Sequence, residues 1–122
     1  MTSSAMPRLL EIRVAPPGDA LDRFEAAWNR RAEGRRTKPL AVLSFEDLPG
    51  LLKNLSPARL VLLRALREAG PVSIYELARR LARDYKNVHT DVKQLARLGL
   101  IERGTDNLVT VRWDLLRAEL RL

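Results

Sequence analysis

Cysteine is absent from this 122-residue sequence, and histidine occurs once, as His89. The lack of cysteine excludes disulfides, thiolate metal sites and cysteine nucleophiles. The sequence also lacks a glycine-rich phosphate loop and an HExxH motif, and its acidic residues are scattered among basic ones. We therefore expect no cofactor, no metal site and no enzymatic activity; a metal-dependent nuclease is the one enzymatic alternative to test.

Long apolar runs are absent as well, since no stretch approaches the roughly 20 residues that cross a bilayer. The N-terminus lacks a basic segment followed by a long apolar one, so we expect no signal peptide, no membrane partner and a cytoplasmic protein. Acidic residues are fewer than basic ones: the sequence has 15 Asp and Glu against 22 Lys and Arg, which gives a formal net charge of +7. This excess of positive charge favours a polyanionic partner, nucleic acid before an anionic membrane.

The first third of the chain predicts a strand, a helix and a second strand. Apolar residues alternate over 8–14, which is the period of a strand. Asp19 is a suitable helix N-cap and Gly34 a suitable stop, and the apolar run 40–45 indicates another strand. Two strands make a marginal sheet alone. We therefore predict that residues 1–54 form a small strand–helix–strand extension, used for dimerisation or partner binding.

Helix signals follow one another in the second half of the chain, after a short helix predicted over 46–53. Ser56 and Pro57 favour a helix start, with a stop at Gly70. A second helix is predicted from Ser73, which forms a capping-box pattern with Glu76.

The third helix is predicted over 84–98, with a buried stripe that includes Val88, Val92 and Leu95. Two short apolar runs within 100–113, separated by Gly, Asp and Asn, predict a β-hairpin. A final helix is predicted over 114–122. This order of elements predicts an α+β fold in which residues 55–122 form a winged helix-turn-helix domain that binds DNA.

The stretch GPVSIYELARRLARDYKNVHTDVKQLARLGLIE resembles the core of the MarR-like winged helix-turn-helix regulators. It is most similar to a family of small prokaryotic predicted transcriptional regulators that carry an SFEDL segment, matched here by Ser44–Leu48. The resemblance implies a transcriptional regulator that binds double-stranded DNA, and we expect this regulator to be a repressor. It also implies a cognate toxin as an alternative partner, because some members are regarded as antitoxins.

The third helix is the candidate recognition helix, and its outward residues near the start are expected to meet base edges in the major groove. The base-contacting candidates are Lys86, Asn87, His89, Thr90 and Lys93. Asn87 has an alternative role in bracing the turn before the helix. His89 has an alternative as a core residue.

Two further sets of residues are candidates for contacts with the DNA backbone and minor groove. The phosphate-contacting candidates are Ser73, Arg79, Arg80, Arg83 and Arg97. The wing candidates are Arg103, Gly104, Thr105 and Asn107, beside Asp106. A second basic group after the N-terminal helix, formed by Arg30, Arg31, Arg35, Arg36 and Lys38, either extends the DNA footprint or is a solubilising linker.

The main alternative is a protein-interaction module, such as an antitoxin whose principal role is to bind a partner protein, because a fold does not fix a function. We also predict a homodimer. Helix-turn-helix proteins commonly pair two-fold symmetric subunits with pseudo-palindromic DNA.

Overall fold

A computed structural model describes residues 7–14 and 39–120 of the chain. These residues form an α+β fold. The strands are β1 (Leu9–Val14), β2 (Pro39–Phe45), β3 (Glu102–Arg103), β4 (Val109–Thr110) and β5 (Leu115–Leu120). The helices are α1 (Leu48–Asn54), α2 (Pro57–Ala69), α3 (Ile74–Leu81) and α4 (Tyr85–Arg97). The predicted helix between Asp19 and Gly34 and the second basic group lie outside the described residues.

The chain divides into two compact units: residues 1–51 together with 113–122, and residues 52–112. The first unit contains a three-stranded sheet in the order β2-β1-β5, and both pairings with β1 are parallel. The predicted strands over 8–14 and 40–45 are confirmed as β1 and β2. The third strand of this sheet comes from the other end of the chain.

The predicted helix over 114–122 is wrong, because residues Leu115–Leu120 form strand β5. The segment LLRAEL consists of residues with high helix propensity, and propensity is a weak prior that tertiary pairing overrides. Here β5 lies along β1 in unbroken register from Leu9↔Leu115 to Val14↔Leu120. That pairing satisfies the backbone N–H and C=O groups of β5 that face β1.

The central strand β1 is buried along its whole length, including two charged residues, Glu11 and Arg13. Arg13 Nε lies 3.5 Å from Glu11 Oε2. In the register of the sheet Glu11 is opposite Arg117 and Arg13 is opposite Glu119. Opposite charges therefore alternate along and across these two strands, which offsets the cost of burying them.

The second unit contains helices α2, α3 and α4, and polar side chains cap the start of each. Ser56 Oγ accepts from Arg59 N–H, Ser73 Oγ from Glu76 N–H, and an Asp84 carboxylate oxygen from Asn87 N–H. Each cap satisfies a backbone donor that has no partner inside the helix. The predicted starts at Ser56 and Ser73 are confirmed, as is the helix stop at Gly70, which has a φ of 77°.

The core of this unit is built from the inner faces of the three helices and from the β3–β4 hairpin. The predicted stripe Val88, Val92 and Leu95 is buried, and so are Leu62 and Leu66 of α2 and Leu77 of α3. The predicted hairpin is confirmed as an antiparallel pair, although each strand has only two ladder residues. Val109 also bridges to Val72, the residue before the α3 cap, so the hairpin is joined to the segment between α2 and α3.

None of the helices in the described part of the chain has the length and apolar character that a membrane span requires.

Candidate functional site

The outward face of α4 carries a continuous stripe of exposed polar residues. Lys86, Thr90, Lys93 and Arg97 are spaced by four, three and four positions, which places them on one side of a helix. All four are exposed, whereas Val88, Val92 and Leu95 on the opposite side are buried. The three cations of the stripe form no ion pair with any residue in the described ranges. We call these four residues the α4 stripe.

Two other predicted contact residues flank the α4 stripe near the start of the helix. Asn87 is exposed, and its backbone N–H is engaged by the Asp84 cap. His89 is half-buried, with its ring centroid 5.8 Å from that of Tyr85. Thr90 Oγ1 donates to the carbonyl of Lys86 at 3.0 Å, which leaves the hydroxyl oxygen available as an acceptor.

The opposite side of α4 is fixed to the preceding elements through one carboxylate. Asp91 accepts from Arg59 Nε at 3.0 Å and from Arg83 Nη2 at 2.8 Å. Arg59 comes from α2 and Arg83 from the turn between α3 and α4, so Asp91 connects three segments. The side chain of Asp91 is only 14% exposed, which strengthens both ion pairs relative to surface pairs.

This network continues through Asn54 at the end of α1. Gln94 Nε2 donates to Asn54 Oδ1 at 3.0 Å, and Arg59 Nη1 donates to the Asn54 carbonyl at 3.1 Å. The side chain of Gln94 is thus half-buried and hydrogen-bonded to α1, so Gln94 is not part of the exposed α4 stripe. The sequence also suggested Arg83 as a phosphate contact, and the structure places this guanidinium on Asp91.

A second acidic residue, Glu76, is held by two arginines of its own helix. Its carboxylate accepts from Arg79 Nε and Nη2 at 3.0 and 2.9 Å and from Arg80 Nε at 2.9 Å. These hydrogen bonds, the one from Arg79 first, lower the pKa of the Glu76 carboxyl, and the same contact raises the pKa of Arg79. The capping box predicted here is only half formed, because Ser73 caps the helix while the Glu76 carboxylate binds these arginines.

The β3–β4 turn is an exposed loop whose backbone is fixed by its own residues. Gly104 N–H donates to the Leu108 carbonyl at 2.8 Å, and Asp106 Oδ1 accepts from Leu108 N–H at 3.1 Å. A Cβ on Gly104 would lie 2.7 Å from Asp106 Oδ1, so a larger residue here would displace the Asp106 side chain from its present position. Asn107 has a φ of 64°, which asparagine tolerates better than most residues. Asp106 is therefore folded into the turn, and Arg103 is left as its exposed cation.

An open cleft of about 290 Å³ lies between the second half of α4 and β3. Its lining consists of the cations Lys93, Arg97 and Arg103 together with Val92 and Ala96. The cleft thus brings two residues of the α4 stripe together with a residue of the hairpin. Three cations around one concave surface make a local positive potential that attracts anions.

The site residues predicted from the sequence did not include Asp91, Arg59 or Tyr85. The burial of Asp91 could have been predicted from its spacing, because it lies three positions after Val88 and four before Leu95, on the apolar side of α4. No local pattern could have predicted its partner Arg59, since the two residues are 32 positions apart. Tyr85 is an aromatic residue in the first turn of α4 that remains 47% exposed.

Acidic and imidazole groups do not cluster into a metal site anywhere in the described ranges. Among known protein families, the model of the HVO_A0114 family matches residues 54–118, which is more than half of the chain. The matched segment includes α2, α3, α4 and the hairpin. No curated protein and no solved structure matches the chain.

Proposed function

The chain belongs to the HVO_A0114 family, and we propose that it is a sequence-specific transcriptional regulator, acting as a repressor, that binds double-stranded DNA. The observation that carries this proposal is the α4 stripe, an exposed row of cations and a hydroxyl on a helix whose other side is rigidly held. Basic residues concentrated on one face of a helix are the electrostatic signature of a nucleic-acid-binding element.

The order of elements supports a winged helix-turn-helix in this role. Helices α2, α3 and α4 are followed by a short antiparallel hairpin, and only residues 82–84 separate α3 from α4. In such a domain the third helix enters the major groove and the hairpin serves as the wing. The MarR-like relationship suggested by the sequence belongs to this same proposal.

Charge neutralisation of the nearby acidic residues supports DNA as the ligand. Glu76 is bound by two arginines and Asp91 by two more, while Asp84 caps α4. None of these three carboxylates offsets the α4 stripe directly. The outward surface therefore presents Lys86, Lys93 and Arg97 without a counter-charge from the described residues, as phosphate binding requires.

We assign the contacts by position along the helix. Lys86, Asn87, His89, Thr90 and Lys93 lie in its first three turns and would face base edges. Arg97 and Arg103, at the cleft, would bind backbone phosphates. Arg79 and Arg80 are exposed and would add phosphate contacts from α3, whereas Arg83 would position α4 through Asp91.

The test is a titration of the full chain against the DNA upstream of its own reading frame and against random duplex, at two salt concentrations. Lys93→Ala and Asn87→Ala should each weaken specific binding by about 1–3 kcal/mol if they contact bases. Arg64→Ala is the matched control, because Arg64 is an exposed cation on α2 outside the α4 stripe. It should leave specific binding unchanged.

Two outcomes would overturn the proposal. Equal, salt-labile binding to both duplexes would describe a non-specific basic protein. Absence of binding to either duplex would favour the protein-interaction module, with a partner such as a toxin.

A further inference from the structure

Strand β5 lies at one edge of the three-stranded sheet in the first unit. Leu115 N–H donates to the Arg8 carbonyl at 3.1 Å, so the backbone groups of Leu115 face β1. Backbone direction alternates along a strand, so the N–H and C=O groups of residues 116, 118 and 120 point to the other side. No strand pairs with that side of β5 within the described residues.

We propose that two copies of this chain pair through these edges, with their β5 strands antiparallel and Ala118 opposite Ala118 of the second copy. Most homodimers are two-fold symmetric, and a two-fold axis at the junction requires identical edge strands to run in opposite directions. The outward-facing residues 116, 118 and 120 must then lie opposite one another, because their backbone groups point away from β1 and pair with no strand among the described residues. Only registers centred on residue 117, 118 or 119 keep substantial overlap.

Charge selects one of these three registers. A register centred on Arg117 would oppose two arginines, and one centred on Glu119 would oppose two glutamates. The register centred on Ala118 instead places Arg117 opposite Glu119 of the second copy, twice by symmetry. These two residues form non-hydrogen-bonded pairs in this register, in which side chains are closest.

The charges inside each copy extend this pattern. Within one chain Glu11 is opposite Arg117 and Arg13 is opposite Glu119. In the proposed register, four charged residues would lie side by side across the junction. They form a row of alternating sign: Glu11 and Arg117 of one copy, then Glu119 and Arg13 of the second copy. The other registers would place like charges at the centre of each such row.

The apolar side of the strand is compatible with the same register. It places Leu116 opposite Leu120 of the second copy, and Leu120 is 46% exposed in the single chain. Burial of these leucines would add a favourable apolar term to the backbone hydrogen bonds. The result would be a continuous six-stranded sheet formed by two copies.

The pairing does not depend on the proposed function, so it is tested without DNA. The chain has no cysteine, so a single introduced cysteine is a unique reporter. Hydrogen-bonded antiparallel partners have Cα atoms about 5.5 Å apart, within the range of a disulfide. Ala118→Cys should therefore form a disulfide-linked dimer under mild oxidation. Ala41→Cys, the same change on the exposed opposite edge strand β2, is the matched control and should not crosslink.

The register is tested with two leucine positions. Leu116→Cys and Leu120→Cys should each crosslink poorly alone and should crosslink to each other when mixed. The unmodified chain should have twice the monomer mass in solution by light scattering at micromolar concentration. A monomeric mass, equal crosslinking of Ala118→Cys and Ala41→Cys, or self-crosslinking of Leu116→Cys as strong as the mixed reaction would overturn the proposal.

Discussion

At the scale of single residues, the carboxylate of Asp91 holds together three segments of the second unit. It lies between Arg59 of α2 and Arg83 of the α3–α4 turn, and both guanidinium groups are partly buried. Removing the carboxylate would leave two cations close together with no counter-charge. Partly buried ion pairs of this kind matter more than surface pairs, because water screens them less.

Replacement of Asp91 by asparagine should therefore lower the free energy of unfolding by about 2 kcal/mol, between the values for surface and buried pairs. Urea denaturation followed by circular dichroism measures this change. Glu68→Gln removes an exposed carboxylate from α2 and should change stability by less than about 0.5 kcal/mol. Equal effects of the two substitutions would contradict the role assigned to Asp91.

The lowered pKa of the Glu76 carboxyl predicts how the stability of the fold depends on pH. Because Arg79 and Arg80 lower the pKa of its carboxyl in the folded state, the folded protein holds the Glu76 proton less tightly than the unfolded chain does. The resulting stabilisation is present above the unfolded pKa and is lost as the pH falls through the folded pKa. An NMR titration of the side-chain carboxyl should show a midpoint below that of an ordinary glutamate. Arg79→Gln should raise this midpoint, and an unchanged midpoint would refute the contact.

At the scale of elements, the turn between α3 and α4 contains an unfavourable backbone conformation. Ala82 ends α3 with a φ of 54° and a ψ of 43°, in the left-handed region where glycine is preferred. Its N–H still closes the helix through the carbonyls of Ala78 and Arg79. The turn thus keeps its hydrogen bonds at a conformational cost.

Ala82→Gly should raise the free energy of unfolding by up to about 1 kcal/mol, because glycine removes this cost. Ala96→Gly makes the same change at an exposed position inside α4, where it should instead destabilise by about 1 kcal/mol. Thermal unfolding of both variants gives the comparison. Destabilisation by both would mean that Ala82 does not adopt the left-handed conformation.

At the scale of the whole molecule, the net charge of +7 and the α4 stripe act together on any polyanion. Under the proposed function, the net charge would raise the affinity for nucleic acid of any sequence. The α4 stripe and the cleft with Arg103 concentrate that attraction on one surface. Binding to random duplex should therefore weaken steeply with salt, through release of counterions.

The logarithm of this non-specific affinity should fall linearly with the logarithm of salt concentration. Arg97→Gln should reduce the slope by about 0.9, the value for one phosphate contact. Arg64→Gln removes the same charge from α2 and should leave the slope nearly unchanged. Fluorescence anisotropy with a labelled random duplex measures both, and identical slopes for the two variants would remove Arg97 from the interface.

Most of the second unit could be predicted from the amino-acid sequence. Ser56 and Ser73 begin their helices, Gly70 ends one, and the spacing of Val88, Val92 and Leu95 indicates the buried side of α4. These features depend on hydrogen bonds and periodicities within a few residues, so the local sequence contains them. The exposed residues of the α4 stripe could be predicted for the same reason, because the positions of a helix that lie outside its apolar face point toward solvent.

Only the folded chain shows three other features. These are the pairing of β1 with β5, the burial of Glu11 and Arg13, and the ion pair between Arg59 and Asp91. The strands β1 and β5 are separated by 106 positions in register, and LLRAEL has the local character of a helix. Charged residues in a strand predict an exposed face unless a strand with opposite charges lies beside them. These features depend on residues that are distant in sequence and meet only after folding, so no local pattern specifies them.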